Sequence, residues 1–318
     1  MITLYELAWS HYCEKVRLAL AYKGVPWRRV GDNAFSKAGI HAVAGGQRVP
    51  RHAFPTVHDD ATGAVVFEST PILDYLDQRY PDAPLLYPGD AANRAAIRQR
   101  LIEFDTLLGV PARRFGYTQL ILECPTVLPS LFLGQIAGGV FTKPGLRWLT
   151  GHVLGILLTK RFAFHRSEAI GLYEGLERYL LDLAAALDGR EFVVGEAFSA
   201  ADITLATHLR PLLIVPFFAE HPGLQGLFAR QQQVFAQLGA EAEFPYQAAI
   251  TAARQHRAPV RRKLRDVAGS LPLQPAGALA GNDQNKVWTW NMVLHPWYYL
   301  VTLRRNKARL ALASSQYR

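Results

Sequence analysis

The sequence predicts an α+β domain, a mixed four-stranded sheet with helices, followed by an all-α helical domain. Three observations predict it. Strand-like and helix-like segments alternate over roughly the first 80 residues, as in a small α/β sandwich. The stretch Pro81–Asp90, with three prolines and a glycine, reads as a linker. Beyond it strand signals fade, and helical patterns dominate from Ala91 to about Ala253.

Ile2–Leu7 alternates and is rich in strand formers, so it reads as a first strand. A loop at Ala8–Ser10 follows. Val16 and Leu18–Ala21 then recur at helical spacing, and Gly24 supplies a stop. Trp27–Val30 reads as a second strand, and a short helix is expected around Ala38–Val43. Pro55–His58 and Ala64–Phe67 form a strand pair across the turn Asp59–Gly63. Ser69 is expected to cap a helix running to about Tyr80, with Pro71 early in it, where proline is tolerated. The boundaries that follow are 1–81, 91–255 and a C-terminal extension over 256–318. Pro272–Gly281 is a Pro/Ala/Gly connector ahead of the last segment.

The chain has 318 residues, enough for two ordinary domains. Its two cysteines, Cys13 and Cys124, exclude a disulfide framework and suit a reducing compartment. The start MITLYEL lacks the features of a secretory leader, so a cytoplasmic location is expected. No apolar run reaches the roughly 18 residues of a membrane span. Residues 119–142 come nearest, but Glu123, Pro125, Pro129 and Gln135 interrupt them, so buried helices joined by a proline-containing turn are expected there.

Net charge is +9, and it is unevenly spread: residues 254–318 hold 12 Lys+Arg against 2 Asp+Glu, while the rest hold 23 against 24. The body is therefore close to neutral, which argues against nucleic-acid binding.

Three segments carry candidate chemistry. Ser10-His11-Tyr12-Cys13-Glu14-Lys15-Val16-Arg17 lies where the first strand gives way to the first helix. A helix N-terminus offers free N–H groups and favours an anion. A serine hydroxyl there could donate to a bound thiolate, or it could simply cap the helix. Phe54-Pro55-Thr56-Val57 places a proline at a strand's first residue. A cis bond would turn the preceding backbone outward for a peptide ligand, whereas a trans bond would make it an ordinary edge proline. Glu68-Ser69-Thr70 opens the next helix. Its N–H groups suit a carboxylate and Glu68 suits an ammonium, though a plain helix cap reads the same way.

Farther on, Phe198-Ser199-Ala200-Ala201-Asp202-Ile203 contains a capping box between Ser199 and Asp202, with Phe198 and Ile203 at the staple positions. His152, His165 and His208 show no ligand-like spacing, so no metal is expected. Tyr5 and Cys124 read as core residues.

These motifs, in this order, resemble the glutathione S-transferase superfamily over roughly residues 1–250. The resemblance implies a thioredoxin-like first domain, glutathione as co-substrate and a homodimer. Ser10-x-x-Cys13-x-x-Val16 looks like the theta class and related serine-type enzymes. It implies that Ser10 activates the glutathione thiol. Pro55 takes the place of the family's cis-proline, and Phe54 would bind the cysteinyl backbone of glutathione. Glu68 and Ser69, with Thr70 beside them, would hold its γ-glutamyl group. Phe54 departs from the small β-branched residue usual there, and His11 and Tyr12 are atypical.

The leading expectation is a Ser10-activated glutathione thiolate attacking a small but bulky hydrophobic electrophile, as in detoxification. Two rivals stand beside it: a non-catalytic carrier of hydrophobic ligands, and a thiol–disulfide reductase using Cys13. The apolar segment 110–165, with Phe132, Phe141, Trp148, Leu154 and Leu157, is a candidate hydrophobic pocket or an ordinary helical core. In the C-terminal extension, Trp288, Trp290, Trp297, Tyr298 and Tyr299 precede Arg304, Arg305, Lys307 and Arg309. That mixture fits a strap packed on the body, or a peripheral membrane contact through residues 284–318.

Overall fold

A computed structural model describes residues 1–32, 36–133, 137–162, 169–240, 248 and 250–252. The expected extension over 256–318, its connector and His165 lie outside the described residues. The chain divides into two compact units, Met1–Arg113 with Leu180–Pro245, and Arg114–Tyr179 with Tyr246–Arg318.

The first unit opens with β1 (Ile2–Glu6), α1 (His11–Lys23), β2 (Trp27–Gly31), α2 (Ala38–Val43), β3 (Thr56–Asp59), β4 (Ala64–Phe67) and α3 (Ser69–Arg79). The sheet order is β2-β1-β3-β4. β1 runs parallel to β2 and antiparallel to β3, and β4 is antiparallel to β3. This mixed four-stranded sheet with its helices is the expected thioredoxin-like arrangement. Every residue of β1 is buried, as befits a central strand covered on both faces. Tyr5 joins Ile40 and Ala53 in a core cluster, with Phe54 packed against it.

Helices dominate the rest: α4 (Ala91–Glu103), α5 (Val110–Glu123), α6 (Leu128–Leu133), α7 (Pro144–Phe162), α8 (Ala169–Ala186), α9 (Ala200–Leu209), α10 (Pro216–Ala219) and α11 (Gln225–Gln237). The linker before α4 is well fastened. Lys23 Nζ lies 2.9 Å from Asp77 and donates to the Tyr80 carbonyl at 2.8 Å. Asp77 in turn accepts from the N–H groups of Leu86 and Tyr87.

All ten residues of α9 are buried. Its start is the capping box expected from the sequence, with the Ser199 N–H donating to Asp202 at 3.0 Å. Asp202 also accepts from Val193 N–H at 2.9 Å, so the box anchors the incoming loop. α9 packs on α1, α4 and α11 within the first unit.

Between α4 and α5 the helix widens to a π-turn over Phe104–Gly109. Pro111 has no N–H to give the carbonyl of Leu107, which favours such a widening. This turn carries Asp105, which contacts Lys15, Thr70 and His208.

In the second unit, α5 ends at Glu123, a 3-10 turn covers Pro125–Val127, and α6 follows. This is the broken helical stretch expected over residues 119–142. Cys124 is buried, and its thiol lies 3.6 Å from the Ile250 carbonyl. Among the described residues no helix is long and apolar enough to cross a membrane.

Candidate functional site

The strand register brings the three sequence-marked segments to one end of the sheet. Tyr5 of β1 pairs with Thr56 of β3, and Thr56 pairs with Phe67 of β4. Ser10 follows β1, Pro55 precedes β3 and Glu68 follows β4, so all three leave the sheet at the same edge.

Ser10 is the N-cap of α1, in extended backbone with φ −80° and ψ 120°. Its Oγ accepts from the Cys13 N–H at 3.4 Å, and the side chain is half-buried. The capping reading is therefore correct. It does not compete with a thiol role, because a hydroxyl that accepts one hydrogen bond still has its own proton to donate. The Phe54–Pro55 bond is cis, and the Pro55 carbonyl accepts from Glu68 N–H at 3.0 Å. That bond ties the second segment to the third.

At α3 the structure corrects the expected cap. Glu68, not Ser69, is the N-cap, with φ 68° and ψ 146°, and Ser69 is the first helical residue. The positive φ of Glu68 lets the chain enter the helix one residue early. A non-glycine residue in this region costs about 1–3 kcal/mol, and such outliers cluster at functional sites. The Glu68 side chain is exposed and makes no cap bond, and Ser69 is buried.

The Thr70 side chain joins a buried network. Its hydroxyl accepts from Lys15 Nζ at 2.9 Å and donates to Asp105 Oδ2 at 2.8 Å. Sequence reasoning missed this network entirely. Lys15 is 0 % exposed and sits 3.0 Å from Asp105 of the π-turn. His208 of α9 contacts the same carboxylate through Nε2 at 2.8 Å, and Tyr12 Oη donates to the Asp105 carbonyl at 3.1 Å. Asp105 thus fastens the first turns of α1 and α3 to the π-turn and α9. The His11 and His208 rings meet edge to face at 4.9 Å. Gly109 is a close-approach position: a Cβ there would stand 2.7 Å from both the His208 ring and the Tyr12 hydroxyl. A second buried cluster holds the outer side of α1. Arg17 bridges Glu6 and Glu14, and Arg210 also pairs with Glu14.

The electrostatics follow from burial. Burial raises the Asp105 carboxyl, but the His208 hydrogen bond and the Lys15 charge outweigh it and hold the group well below the usual carboxylate range. Burial pushes His208 down against the opposing pull of Asp105. His11 is lowered well below the ordinary imidazole range, by burial first and then by His208 and Arg113. A carboxylate only accepts, so His208 carries its proton on Nε2, leaving Nδ1 without a hydrogen-bond partner among the described residues.

A pH dependence follows. Unfolded histidine takes up its proton near pH 6.5, while burial lowers the pKa of His11 and His208 below that value in the fold. Stability therefore drops as pH falls below that value, by up to about 1.4 kcal/mol per pH unit for each histidine, until the folded pKa values are passed. Asp105 adds a further loss only at lower pH, as its unfolded carboxyl titrates near pH 4 and below. Urea unfolding midpoints measured from about pH 7.5 to 5.5 should fall steadily, and His11→Phe should flatten the fall.

Cys13 is 0 % exposed, and Leu7 N–H lies 3.5 Å from its sulfur. Burial pushes its thiol up to about 12. Thiol reactivity requires thiolate and access, and Cys13 has neither. An aromatic disulfide reagent should label the native protein at neutral pH at least about 100-fold more slowly than the urea-unfolded chain. Rapid native labelling lost in Cys13→Ser would contradict this.

The hydrophobic residues singled out in segment 110–165 do not converge. Leu154 is buried, whereas Trp148 and Leu157 are 57 % and 55 % exposed. Among the described residues an open cleft is lined by Pro88, Asp90, Asn93, Glu196 and neighbours, none of them a sequence-marked site residue. Among the described residues no group of three His, Cys, Asp or Glu side chains is placed to hold a metal ion.

Residues 4–84 match the family model described as Glutathione S-transferase, N-terminal domain. A glutathione S-transferase of Pseudomonas putida strain F1 is 30% identical over 113 residues, which are 36% of this chain and 48% of that protein. The chain thus spans about half the length of the curated relative it matches. Among solved structures, a glutathione S-transferase from Rhodospirillum rubrum F11 aligns with a TM-score of 0.46 and 22% identity, covering 76% of this chain and 93% of that one. One from Ceriporiopsis subvermispora, solved in complex with glutathione, aligns with a TM-score of 0.48 and 18% identity, covering 75% and 98%. The likeness to glutathione S-transferases in the family model lies in residues 4–84.

Proposed function

We propose that the protein is a glutathione transferase whose thiolate is held by Ser10. One observation carries the reading: the β1–β3–β4 register gathers the Ser10 cap, the Phe54–Pro55 segment and the Glu68–Ser69 helix start at one sheet edge. In this reading the cysteinyl backbone of glutathione pairs with Phe54. Its γ-glutamyl ammonium meets the exposed Glu68 carboxylate, and its carboxylate meets the N–H groups of Ser69 and Thr70. The α1 N-terminus and the Ser10 hydroxyl favour the thiolate over the thiol. The thiolate then forms a bond to an electrophilic carbon of a hydrophobic second substrate, and the leaving group departs with the electron pair of the broken bond.

Residues 1–81 serve as the glutathione-binding segment and 91–255 as the segment for the second substrate. The superfamily resemblance also carries a homodimer, a cytoplasmic location and a detoxification role into the proposal. The burial of Cys13 weighs against its use as a thiol–disulfide nucleophile.

Titration calorimetry tests the reading. Glutathione should bind the wild-type protein, and removing its γ-glutamyl ammonium or replacing Glu68 by alanine should weaken binding about tenfold or more. Binding of hydrophobic ligands with no glutathione affinity would favour the carrier reading instead.

A further inference from the structure

α7 carries apolar side chains on two sides. Its inner side is fixed by close approach. A Cβ on Gly151 would lie 2.4 Å from the Pro125 carbonyl oxygen, one on Gly155 would lie 3.4 Å from Ile121, and Leu154 is buried. Away from these contacts, Leu146, Leu149, Val153 and Leu157 recur three and four residues apart, and they are 37 %, 53 %, 47 % and 55 % exposed. Trp148 is also exposed and lies tilted against His152 with ring centroids 4.5 Å apart. Lys143 and Arg147 are exposed at the same end, and no Asp or Glu occurs from Lys143 to Phe162.

A helix apolar on both sides is ordinarily covered on both. The row is also the kind of contiguous apolar surface that marks an interaction site. Leucines, an exposed tryptophan, flanking cations and no acids are the composition of a helix that lies in a membrane interface. α7 is not long and apolar enough to cross a bilayer, so it would lie along one.

We propose that this row on α7 is a docking surface for an anionic lipid bilayer. Leu146, Leu149, Val153 and Leu157 enter the headgroup boundary, and Lys143 and Arg147 meet lipid phosphates. Charge selects this occupant. A second copy of the helix would set Lys143 and Arg147 against a surface whose charged residues are all cations. Residues 254–318 of the same chain, with 12 Lys+Arg and 2 Asp+Glu, would do the same. A negatively charged leaflet attracts both cations.

Vesicle flotation of the full chain tests this, with phosphatidylcholine alone and with phosphatidylcholine plus phosphatidylserine. The chain should float with the anionic vesicles, much less with the neutral ones, and less as salt rises. Leu149→Glu combined with Val153→Glu should cut the bound fraction about tenfold or more, and Lys143→Gln with Arg147→Gln should also reduce it. Both pairs are exposed, and circular dichroism checks that the fold is kept. Absence of binding to anionic vesicles overturns the proposal. So does binding that the α7 variants leave unchanged but that is lost on replacing Arg304, Arg305, Lys307 and Arg309, which would place the contact in the C-terminal stretch. Conversion of an oligomer to monomers by Leu149→Glu with Val153→Glu, without vesicle binding in the wild type, also overturns it and assigns the row to a second copy.

Discussion

Asp105→Ala should destabilise the protein by about 3–5 kcal/mol, because it strands a buried cation. Lys15 Nζ would lose both carboxylate contacts and keep, among the described residues, the Thr70 hydroxyl. The His208 N–H would lose its acceptor as well. A loss of this size is a large part of the roughly 5–15 kcal/mol that holds an ordinary domain. The cost lies in the unpaired charge, not in the missing attraction. Lys15→Met added to Asp105→Ala should therefore recover most of the loss, since a well-packed apolar side chain replaces a buried pair at little cost. Urea unfolding followed by circular dichroism measures all three proteins. A double variant no more stable than Asp105→Ala would show that shape, not charge, governs the π-turn.

Ser10→Ala should lower kcat/KM for conjugation about 10- to 100-fold near neutral pH. Two effects combine. The thiol loses the donor that favours its charged form, so less thiolate is present. The helix also loses a cap, at about 1 kcal/mol of stability. The kinetic deficit should shrink as pH rises, because hydroxide then supplies the thiolate that Ser10 no longer stabilises. The stability loss has no such pH dependence. A deficit that stays constant across pH would assign Ser10 to capping alone.

Much of the fold is legible in local sequence. Alternation marks β1, the β3–β4 pair is marked by its Asp59–Gly63 turn, and the α9 capping box is spelled out by Ser199 and Asp202. Each signal involves residues within a few positions of one another. The same holds for Ser10, Pro55 and Glu68, which flank their strands and need only the sheet register to meet.

The Lys15–Asp105–His208 network is illegible for the opposite reason. Its members stand about ninety or more residues apart in the chain. Lys15 lies in a helix rich in charge, where a lysine ordinarily faces water. Asp105 sits in an apolar stretch whose helical periodicity gives no sign of a π-turn, and only Pro111 hints at one. The cap at α3 was misplaced by one residue because a positive φ at glutamate has no sequence signature. The apolar row on α7 was visible as hydrophobicity, but which side it faces depends on Gly151 and Gly155 meeting Pro125 and Ile121.

A thiolate held at the N-terminus of α1 is the reactive species of the proposed transferase. The most direct test is the pKa of bound glutathione, followed by thiolate ultraviolet absorbance on the wild type and on Ser10→Ala. In the wild type the bound thiol should titrate about one to two units below the free value of roughly 8.5, and in Ser10→Ala it should return toward that value. Glutathione that binds but titrates at its free value in both proteins would contradict the proposed mechanism.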